Sequence, residues 1–394
     1  MKGALIMIIY PENVKKIAKI LADAGHSAYA VGGCMRDSVM GKAPNDWDMT
    51  TSAHPEEMLK IFDAADIRTI PTGLKHGTVT VLLDGEAFEC TTFRIDGSYT
   101  DSRHPDSVTF TPNVAEDLKR RDFTVNAMAG NPLCGGDVVD LFGGKDDIQN
   151  KIIRCVGDPE TRFSEDALRI LRAVRFATTL DFSIDEDTKK AARTMSDGLL
   201  SVSIERKVVE LKKILLSDNA DRGISLLFEL GLQKYIHKDL TLPCVALNTL
   251  PKSFTIRTAA LFGIDKAPAL SSLKLSRQEE KEIKLLCGGK YNEPTPVGAR
   301  YLIAALGNCA EGAALLRGDV QFARLIADER AKDPCVSISG LPVNGNDLIS
   351  LGIPPREIGD VMQRLLDAVI KDPSLCKNDV LLHLAKTIYN EKRS

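Results

Sequence analysis

YAVGGCMRDSVMGKAPNDWDMTTSA, from Tyr29 to Ala53, predicts a strand, a glycine turn, a short helix and an acidic segment in immediate succession. Tyr29 to Val31 has the apolar character of the end of a buried strand. Gly32-Gly33 permits a tight turn and a close approach to a ligand, because glycine has no Cβ. Cys34 to Met40 is predicted to be a short helix. The start of such a helix offers unpaired N–H groups and partial positive charge, which favour a phosphate.

Asp46 and Asp48 follow this helix, with Trp47 between them. On a strand the two aspartates would share one face, about 6.5 Å apart along the backbone. That spacing lets both carboxylates reach a pair of divalent cations about 3.5–4 Å apart. Mg²⁺ is the expected cation, since it prefers oxygen ligands and shares them with substrate phosphates. Arg36, in the first turn of the helix, is expected to add a bidentate phosphate contact.

A glycine pair alone is most often a simple turn, and a DxD triplet alone is most often a solvated loop. Their combined order is far more specific. It resembles the nucleotidyltransferase superfamily that includes DNA polymerase beta. The GGxxRD form resembles the class II, bacterial-type branch, which holds CCA-adding tRNA nucleotidyltransferases and bacterial poly(A) polymerases. The resemblance implies that Asp46 and Asp48 are catalytic residues that hold Mg²⁺, and that Gly33 and Arg36 bind the nucleotide.

The whole-chain composition sets limits on this interpretation. The 394 residues exceed one ordinary core, so several domains are expected. The formal net charge of −3 gives no general nucleic-acid signal, so an RNA contact must come from local basic surfaces. Nine scattered cysteines without a CxxC pair predict reduced thiols and a cytoplasmic location. No apolar run of about 18 residues and no cleavage site is present, so we expect neither a membrane span nor a signal peptide.

Thr78 to Leu83 and Ala87 to Phe93 are predicted to be strands of a hairpin joined by Asp84-Gly85. Glu89, on the second strand, either forms a third carboxylate beside the aspartates or faces solvent. The following segment, Arg94 to Val108, is polar and rich in turn formers, which predicts a surface loop. The loop carries Asp101, Arg103 and His104. In the family that the chain resembles, this loop moves during the switch from adding C to adding A.

Glu116 to Ala129, EDLKRRDFTVNAMA, is predicted to be a helix whose polar groups meet a pocket. Its RRDxTxNA pattern resembles the ribose and phosphate motif of the family. The resemblance implies that Arg121 contacts the nucleotide phosphates, and that Asp122 and Asn126 order the sugar. A ribose hydroxyl needs an acceptor such as aspartate.

From Arg162 onward the sequence is helical in character, and Glu165 and Asp166 favour a helix start by their charge. Arginines recur every three residues in FSEDALRILRAVRFA and form either a solvated, ion-paired face or a functional one. The family's EDxxR motif implies that Asp166 and Arg169 present a Watson–Crick-like edge to the incoming base, with Glu165 holding Arg169. Arg172 and Arg175 would face the triphosphate.

A predicted helix from Ser203 to Leu216 follows, and the resemblance implies that its Glu205 and Arg206 brace the base-reading helix. The fold class expected is α+β. A nucleotidyltransferase head with a small mixed sheet and helices spans residues 1–150. An all-α neck (151–216), body (217–330) and tail (331–394) follow it. The tail either binds tRNA or is a structural helix pair.

The resemblance implies a CCA-adding enzyme that uses CTP and ATP with Mg²⁺ and holds the acceptor end and elbow of tRNA, with no obligatory protein partner. A poly(A) polymerase usually carries a long basic C-terminal extension that this chain lacks. Two further alternatives are a partial enzyme that adds only CC or only A, and a non-catalytic tRNA-binding protein. The intact DxD argues against the last of these.

Overall fold

The computed structural model describes residues 8–97, 107–135, 137–264, 267–289 and 291–391. They form two compact units, Met1–Lys238 and Asp239–Ser394. Asp101, Arg103 and His104 of the predicted surface loop lie outside the described residues. Within the described ranges, no helix has both the length and the apolar character needed to cross a bilayer.

Every strand among the described residues belongs to the first unit. Those within the described ranges are β1 (Ala28–Val31), β2 (Met49–Thr51), β3 (Thr69–Gly73), β4 (Thr78–Leu83), β5 (Glu86–Thr92), β6 (Arg94–Asp96), β7 (Val108–Phe110), β8 (Met128–Gly130), β9 (Val138–Asp140), β10 (Ile152–Ile153) and β11 (Ser183–Ile184). Seven of these described strands form one mixed sheet in the order β3-β4-β5-β2-β1-β8-β9. In this sheet β2 and β5 are parallel, and the other neighbours are antiparallel.

Helices occur in both units. In the first unit they are α1 (Glu12–Asp23), α2 (Gly33–Val39), α3 (Pro55–Ala64), α4 (Val114–Lys119), α5 (Gly144–Asn150), α6 (Pro159–Glu165), α7 (Leu168–Leu180), α8 (Glu186–Thr194), α9 (Ile204–Leu215) and α10 (Ala220–Glu229). In the second unit they are α11 (Phe254–Phe262), α12 (Arg277–Gly288), α13 (Pro296–Leu306), α14 (Ala310–Leu315), α15 (Val320–Ala331), α16 (Gly345–Ser350), α17 (Pro355–Lys371) and α18 (Asn378–Glu391). The α+β fold class is therefore confirmed, with a sheet-containing N-terminal part followed by helices.

The core of the head lies between the sheet and helices α1 and α3. Val14, Ile17 and Leu21 line one face of α1 and are fully buried against Met58 and Phe62 of α3. Their spacing of three and four residues gives α1 the apolar stripe that a helix on a sheet requires. This packing holds one side of the sheet rigid, so that the strand ends near residues 31 and 48 are fixed.

The predicted hairpin between β4 and β5 is confirmed. Asp84 and Gly85 adopt φ values of 51° and 81°, as a two-residue turn with positive φ at both positions requires. The prediction of a surface loop from Arg94 to Val108 is wrong at both ends, because Arg94–Asp96 forms β6 and Val108 begins β7. These two strands pair antiparallel from Arg94–Phe110 to Asp96–Val108.

The prediction of one helix from Glu116 to Ala129 is wrong. Helix α4 ends at Lys119, a 3₁₀ turn follows at Thr124–Asn126, and β8 begins at Met128. Long-range pairing overrides the local pattern here, because Phe123 forms a β-bridge with Cys155 and the Thr124 amide donates to the Arg154 carbonyl at 2.9 Å. A strand and a turn replace the second half of the helix.

A helix begins just after Glu165 and Asp166, as their charge favours, but a separate helix ends at the same place. Glu165 ends α6, Asp166 is extended with φ −144°, and α7 begins at Leu168. The Asp166 carboxylate accepts a hydrogen bond from the Leu168 amide at 3.0 Å, which supports the first turn of α7 from outside the helix. The base-reading pair proposed from the sequence therefore spans a junction between two helices.

The regular elements among the described residues of the second unit are all helices, joined by loops. Arg300 of α13 donates to the carbonyls of Ile370 and Lys371, at the end of α17, and pairs with Glu329 of α15 at 2.7 Å. Unpaired carbonyls at a helix end are satisfied by such a cation. The finer division at residues 150, 216 and 330 stays a prediction, and the helix after residue 216, α10, packs on α7 and α9 of the first unit.

Candidate active site

The turn between β1 and α2 lies beside the acidic segment. Gly32 adopts φ 81°, and a Cβ at this residue would lie 3.2 Å from Nη1 of Arg121. A side chain here would be strained by the backbone and would crowd the arginine, so glycine is required. The Val31 amide donates to the Asp48 carbonyl at 3.0 Å, which fixes the acidic segment against the turn.

Asp46 and Asp48 precede β2 rather than lying on it. Trp47, between them, packs against the head core with its ring 5.5 Å from that of Tyr10. Both aspartates are exposed. Trp47 is partly buried, whereas the aspartates on either side of it reach solvent. That their two carboxylates share one face stays a prediction.

Glu89 lies next to Asp48. Met49 of β2 pairs in parallel with Cys90 of β5, so the preceding residues, Asp48 and Glu89, are neighbours across the two strands, which lie about 4.8 Å apart. Although Asp48 reaches solvent, the surrounding protein atoms raise its pKa by desolvation. Glu89 and Asp46 raise it further, and Arg121 opposes them. We call Asp46, Asp48 and Glu89 the acidic cluster.

A small polar cavity of about 250 Å³ opens beside this cluster. Asp48 and Glu89 line it together with Arg94, Arg120 and Arg121. The cavity places cationic donors within the same space as the carboxylates. Such an arrangement suits an anionic group that approaches the acidic cluster.

Four arginines proposed from the sequence to bind phosphates are each anchored by an oxygen acceptor. The contacts are Arg36 to Asp37 and Asn126, both at 2.8 Å; Arg121 to Asp117 at 3.2 Å; Arg172 Nε to Asp122 at 2.8 Å; and Arg175 to Glu210 at 2.6 Å. Arg172 is the most accessible of them, with 34% of its side chain exposed. We call these four residues the arginine set.

Asp122 and Asn126 connect two members of this set. Asn126 accepts from Arg36 through its Oδ1 and donates to Asp122 at 3.3 Å, and Asp122 accepts from Arg172. Asp122 is 8% exposed. Burial alone would raise its pKa, but the Arg172 guanidinium lowers the pKa to about 2. The carboxylate therefore stays ionised and holds Arg172 in place.

The base-reading residues lie at the junction of α6 and α7. Arg169 pairs with Glu165, and its Nη2 donates to the Arg120 carbonyl at 3.0 Å. Asp166 pairs with Arg206 of α9 at 2.7 Å. Arg206, which was expected to brace this region, therefore contacts Asp166 directly. Glu165, which was expected to hold Arg169, contacts Arg169 directly.

Sequence reasoning missed three residues of this region. Asp117 is fully buried and holds both Arg120 and Arg121, at 2.7 and 3.2 Å. Its spacing of three and four residues from those arginines was a usable signal. Glu210, the partner of Arg175, and Phe176, which lies against three arginines, gave no such signal, because their roles depend on how α7 packs against α9 and α2.

Two family models match the chain, one within the first unit and one that runs a few residues past its end. Residues 28–154 match the "Poly A polymerase head domain", and residues 181–242 match the "Probable RNA and SrmB- binding site of polymerase A". The first match covers the sheet, the acidic cluster and the 3₁₀ turn at Thr124–Asn126. The second covers α8, α9 and α10.

Known relatives match nearly the whole chain. The CCA-adding enzyme of Lactiplantibacillus plantarum is 34% identical over 402 residues, which cover 97% of both proteins. The crystal structure of the Bacillus stearothermophilus CCA-adding enzyme in complex with CTP is 31% identical, with a TM-score of 0.82 over 98% of this chain and 100% of that one. The Thermotoga maritima CCA-adding enzyme complexed with tRNA shares the fold, with a TM-score of 0.70 at 20% identity over 98% and 97% of the two chains. The chain therefore belongs to the family of CCA-adding enzymes, which are nucleotidyltransferases.

Proposed function

We propose that the protein adds C, C and A in turn to the 3′ end of tRNA, using CTP and ATP and releasing pyrophosphate. One observation carries the proposal: the acidic cluster, the arginine set and the Asp166–Arg169 pair occur together in one compact unit. The enzyme of B. stearothermophilus, similar in sequence and fold, was solved with CTP.

Asp46 and Asp48 would hold Mg²⁺. The donors fit a hard cation, since they are carboxylate oxygens. Desolvation raises the pKa of Asp48, and so do the negative charges of Glu89 and Asp46, which a cation would offset. Among the described residues, no three His, Cys, Asp or Glu side chains are already arranged as a metal site, so substrate phosphates would complete the ligand set. When bound, Mg²⁺ supplies Lewis-acid activation of the attacking 3′-hydroxyl and of the leaving pyrophosphate.

Gly33 and the arginine set would receive the triphosphate, because phosphoryl transfer relies mainly on positioning and charge. Asp122 and Asn126 would order the sugar side, and they also keep Arg36 and Arg172 in place. The tRNA 3′-hydroxyl would then attack the α-phosphate beside the acidic cluster.

Asp166 and Arg169 would select the base. Asp166 would accept from the exocyclic amino group that C and A share, and Arg169 would donate to the ring nitrogen. U and G present the opposite pattern and would leave these polar groups unpaired, which discriminates strongly. The ion pairs of Asp166 with Arg206 and of Arg169 with Glu165 support this proposal, since they would hold both side chains in place before a nucleotide binds.

We also propose where the tRNA binds and in which compartment the protein acts. The tail, residues 331–394, would contact tRNA, and the protein would act in the cytoplasm. All nine cysteines fall within the described ranges and are free thiols, which suits a reducing compartment.

The test is an addition assay with purified protein, Mg²⁺ and tRNA that lacks its 3′ CCA, supplied with each labelled nucleotide. Two additions of C followed by one of A are expected. A long A tail would identify a poly(A) polymerase instead. Addition that stops after CC, or that requires CC to be present, would identify a partial enzyme, and no addition with intact tRNA binding would identify a binding protein.

A further inference from the structure

The ring of Phe176, on α7, lies against three arginines of the site. The guanidinium carbons of Arg36, Arg172 and Arg175 lie 5.5, 5.4 and 3.6 Å from the ring centre. Phe176 is 6% exposed, and an edge-to-face contact with Phe123, at 5.7 Å between centroids, holds it from the side. One buried ring therefore contacts cations from two separate elements, α2 and α7.

Each of these arginines is also held at its edge by a side-chain oxygen. The acceptors are Asp37 and Asn126 for Arg36, Asp122 for Arg172, and Glu210 for Arg175. An edge contact directs the donors of a planar guanidinium but lets the plane tilt about the acceptor. Contact with an aromatic face restrains the plane itself. The ring thus adds a restraint that the carboxylates do not supply.

Arg172 and Arg175 are close enough for each to disfavour the charge of the other. The pKa of Arg175 is lowered, first by burial and also by Arg172, although Glu210 opposes both. The negative face of an aromatic ring attracts each cation and offsets part of this repulsion. Without the ring, the arginines would separate until a triphosphate arrived to draw them together, and binding would have to supply that ordering.

We infer that Phe176 is a positioning residue for the triphosphate: its ring keeps Arg36, Arg172 and Arg175 assembled before the nucleotide binds. The inference rests on the proposed function, in which these arginines receive the phosphates. Arg169 is held through Glu165 and the Arg120 carbonyl. Loss of the ring therefore weakens the triphosphate contact and leaves base selection intact.

The test compares CTP and CMP binding in Phe176→Leu, followed by the fluorescence of Trp47, the only tryptophan in the chain. We expect the Kd for CTP to rise about tenfold, as three weakened cation contacts imply, while the Kd for CMP stays within about twofold. In the addition assay the KM for CTP and for ATP should rise by the same factor. The kcat and the rejection of UTP should not change.

Phe62→Leu is the matched control, because Phe62 is also a buried phenylalanine but lies in the head core on α3. Phe176→Tyr retains the ring and should keep the wild-type affinity for CTP. If Phe176→Leu does not fold, Phe176→Met, which lacks an aromatic face, replaces it.

Equal weakening of CTP and CMP, or a CTP affinity in Phe176→Leu no lower than in Phe62→Leu, would overturn the inference. Failure of the proposed function would look different. The wild-type protein would then not add C, C and A in turn to tRNA, whatever the binding comparison gave.

Discussion

The pKa values of Asp48 and Asp122 are shifted in opposite directions, which indicates that the two carboxylates have different roles. The pKa of Asp48 is raised, by desolvation and by the neighbouring Glu89, so its ionised form weakens the fold. The pKa of Asp122 is lowered to about 2, since the pairing with Arg172 outweighs the effect of burial. Asp48 is therefore suited to bind a metal cation, whereas the charge of Asp122 is already balanced by the guanidinium of Arg172.

Asp48→Asn should slow addition severely and stabilise the protein. Removing a carboxylate that is held at an unfavourable pKa relieves repulsion from Glu89 and Asp46, and active sites commonly carry such a cost. The rate should fall about a thousandfold, as loss of metal-assisted charge stabilisation implies. Thermal unfolding without Mg²⁺ should occur at a higher temperature than in the wild type. Adding Mg²⁺ should raise the unfolding temperature of the wild type more than that of the variant, and an equal increase would contradict a metal role.

Asp122→Asn should lower stability in a pH-dependent way. The folded pKa of about 2 lies below the unfolded value of 3.8, so the carboxylate stabilises the fold above about pH 4 and this contribution is lost as the pH falls toward 2. The displacement corresponds to roughly 2 kcal/mol. Urea unfolding followed through Trp47 should show the gap between wild type and variant narrowing from pH 5 to pH 3. A gap that is constant with pH would assign the loss to packing.

At the scale of elements, the junction between α6 and α7 orders the base-reading pair. Glu165 ends one helix, Asp166 is extended, and Arg169 lies in the first turn of the next helix. Because Asp166 lies outside the helix that carries Arg169, helical geometry does not fix the two side chains relative to each other. Each side chain therefore needs its own ion-pair partner. Arg206, from α9, is the partner of Asp166.

Arg206→Ala should relax base selection while retaining addition. Without its partner at 2.7 Å, the Asp166 carboxylate loses its fixed direction, so U is rejected less strongly. The ratio of kcat/KM for CTP over UTP should fall about tenfold, as expected for one lost charged contact. Arg206→Lys should restore part of the ratio. Lys19→Ala, which removes an exposed ion pair on α1, is the control, and a similar fall in that variant would exclude a bracing role.

Elements fixed by neighbouring residues could be predicted from the sequence, and elements fixed by distant ones could not. The order of β1, the glycine turn and α2 follows from local chemistry, as does the Asp84-Gly85 hairpin. The helix expected from Glu116 to Ala129 failed because Phe123 pairs with Cys155, 32 positions away by their numbers in the chain. The partner of Arg175, Glu210, likewise depends on the packing of α7 against α9.

At the scale of the whole molecule, every residue proposed to touch the nucleotide lies in the first unit, Met1–Lys238. The tail proposed to contact tRNA lies in the second, Asp239–Ser394. Sequence reasoning predicted an α+β head followed by helices, and this is confirmed. The compact units could not be located from the sequence, because α10 resembles the helices of the second unit in composition but packs on α7 and α9.

A fragment of residues 1–238 should bind CTP as the full chain does but should hold tRNA weakly. Trp47 lies within the fragment and reports binding by its fluorescence, and the Kd for CTP should stay within about threefold of the full-chain value. The affinity for tRNA, measured by filter binding, should fall at least about tenfold, since backbone contacts would be lost. Circular dichroism checks that the fragment is folded. A folded fragment that loses CTP and tRNA affinity in parallel would contradict this division of labour.

The parallel pairing of β2 with β5 has one more consequence. Because the chain leaves β2 and returns through α3 and the β3–β4 ribbon before reaching β5, insertions in that excursion can lengthen it without moving Glu89 away from Asp48. A shift of β5 by one residue against β2, in contrast, would change the ligands of the site. It would turn Glu89 into the apolar interior and bring the buried Cys90 out to the cation, exchanging a hard oxygen for a protonated sulfur. The register between β2 and β5 thus decides whether a carboxylate oxygen or a thiol sulfur from β5 faces the metal.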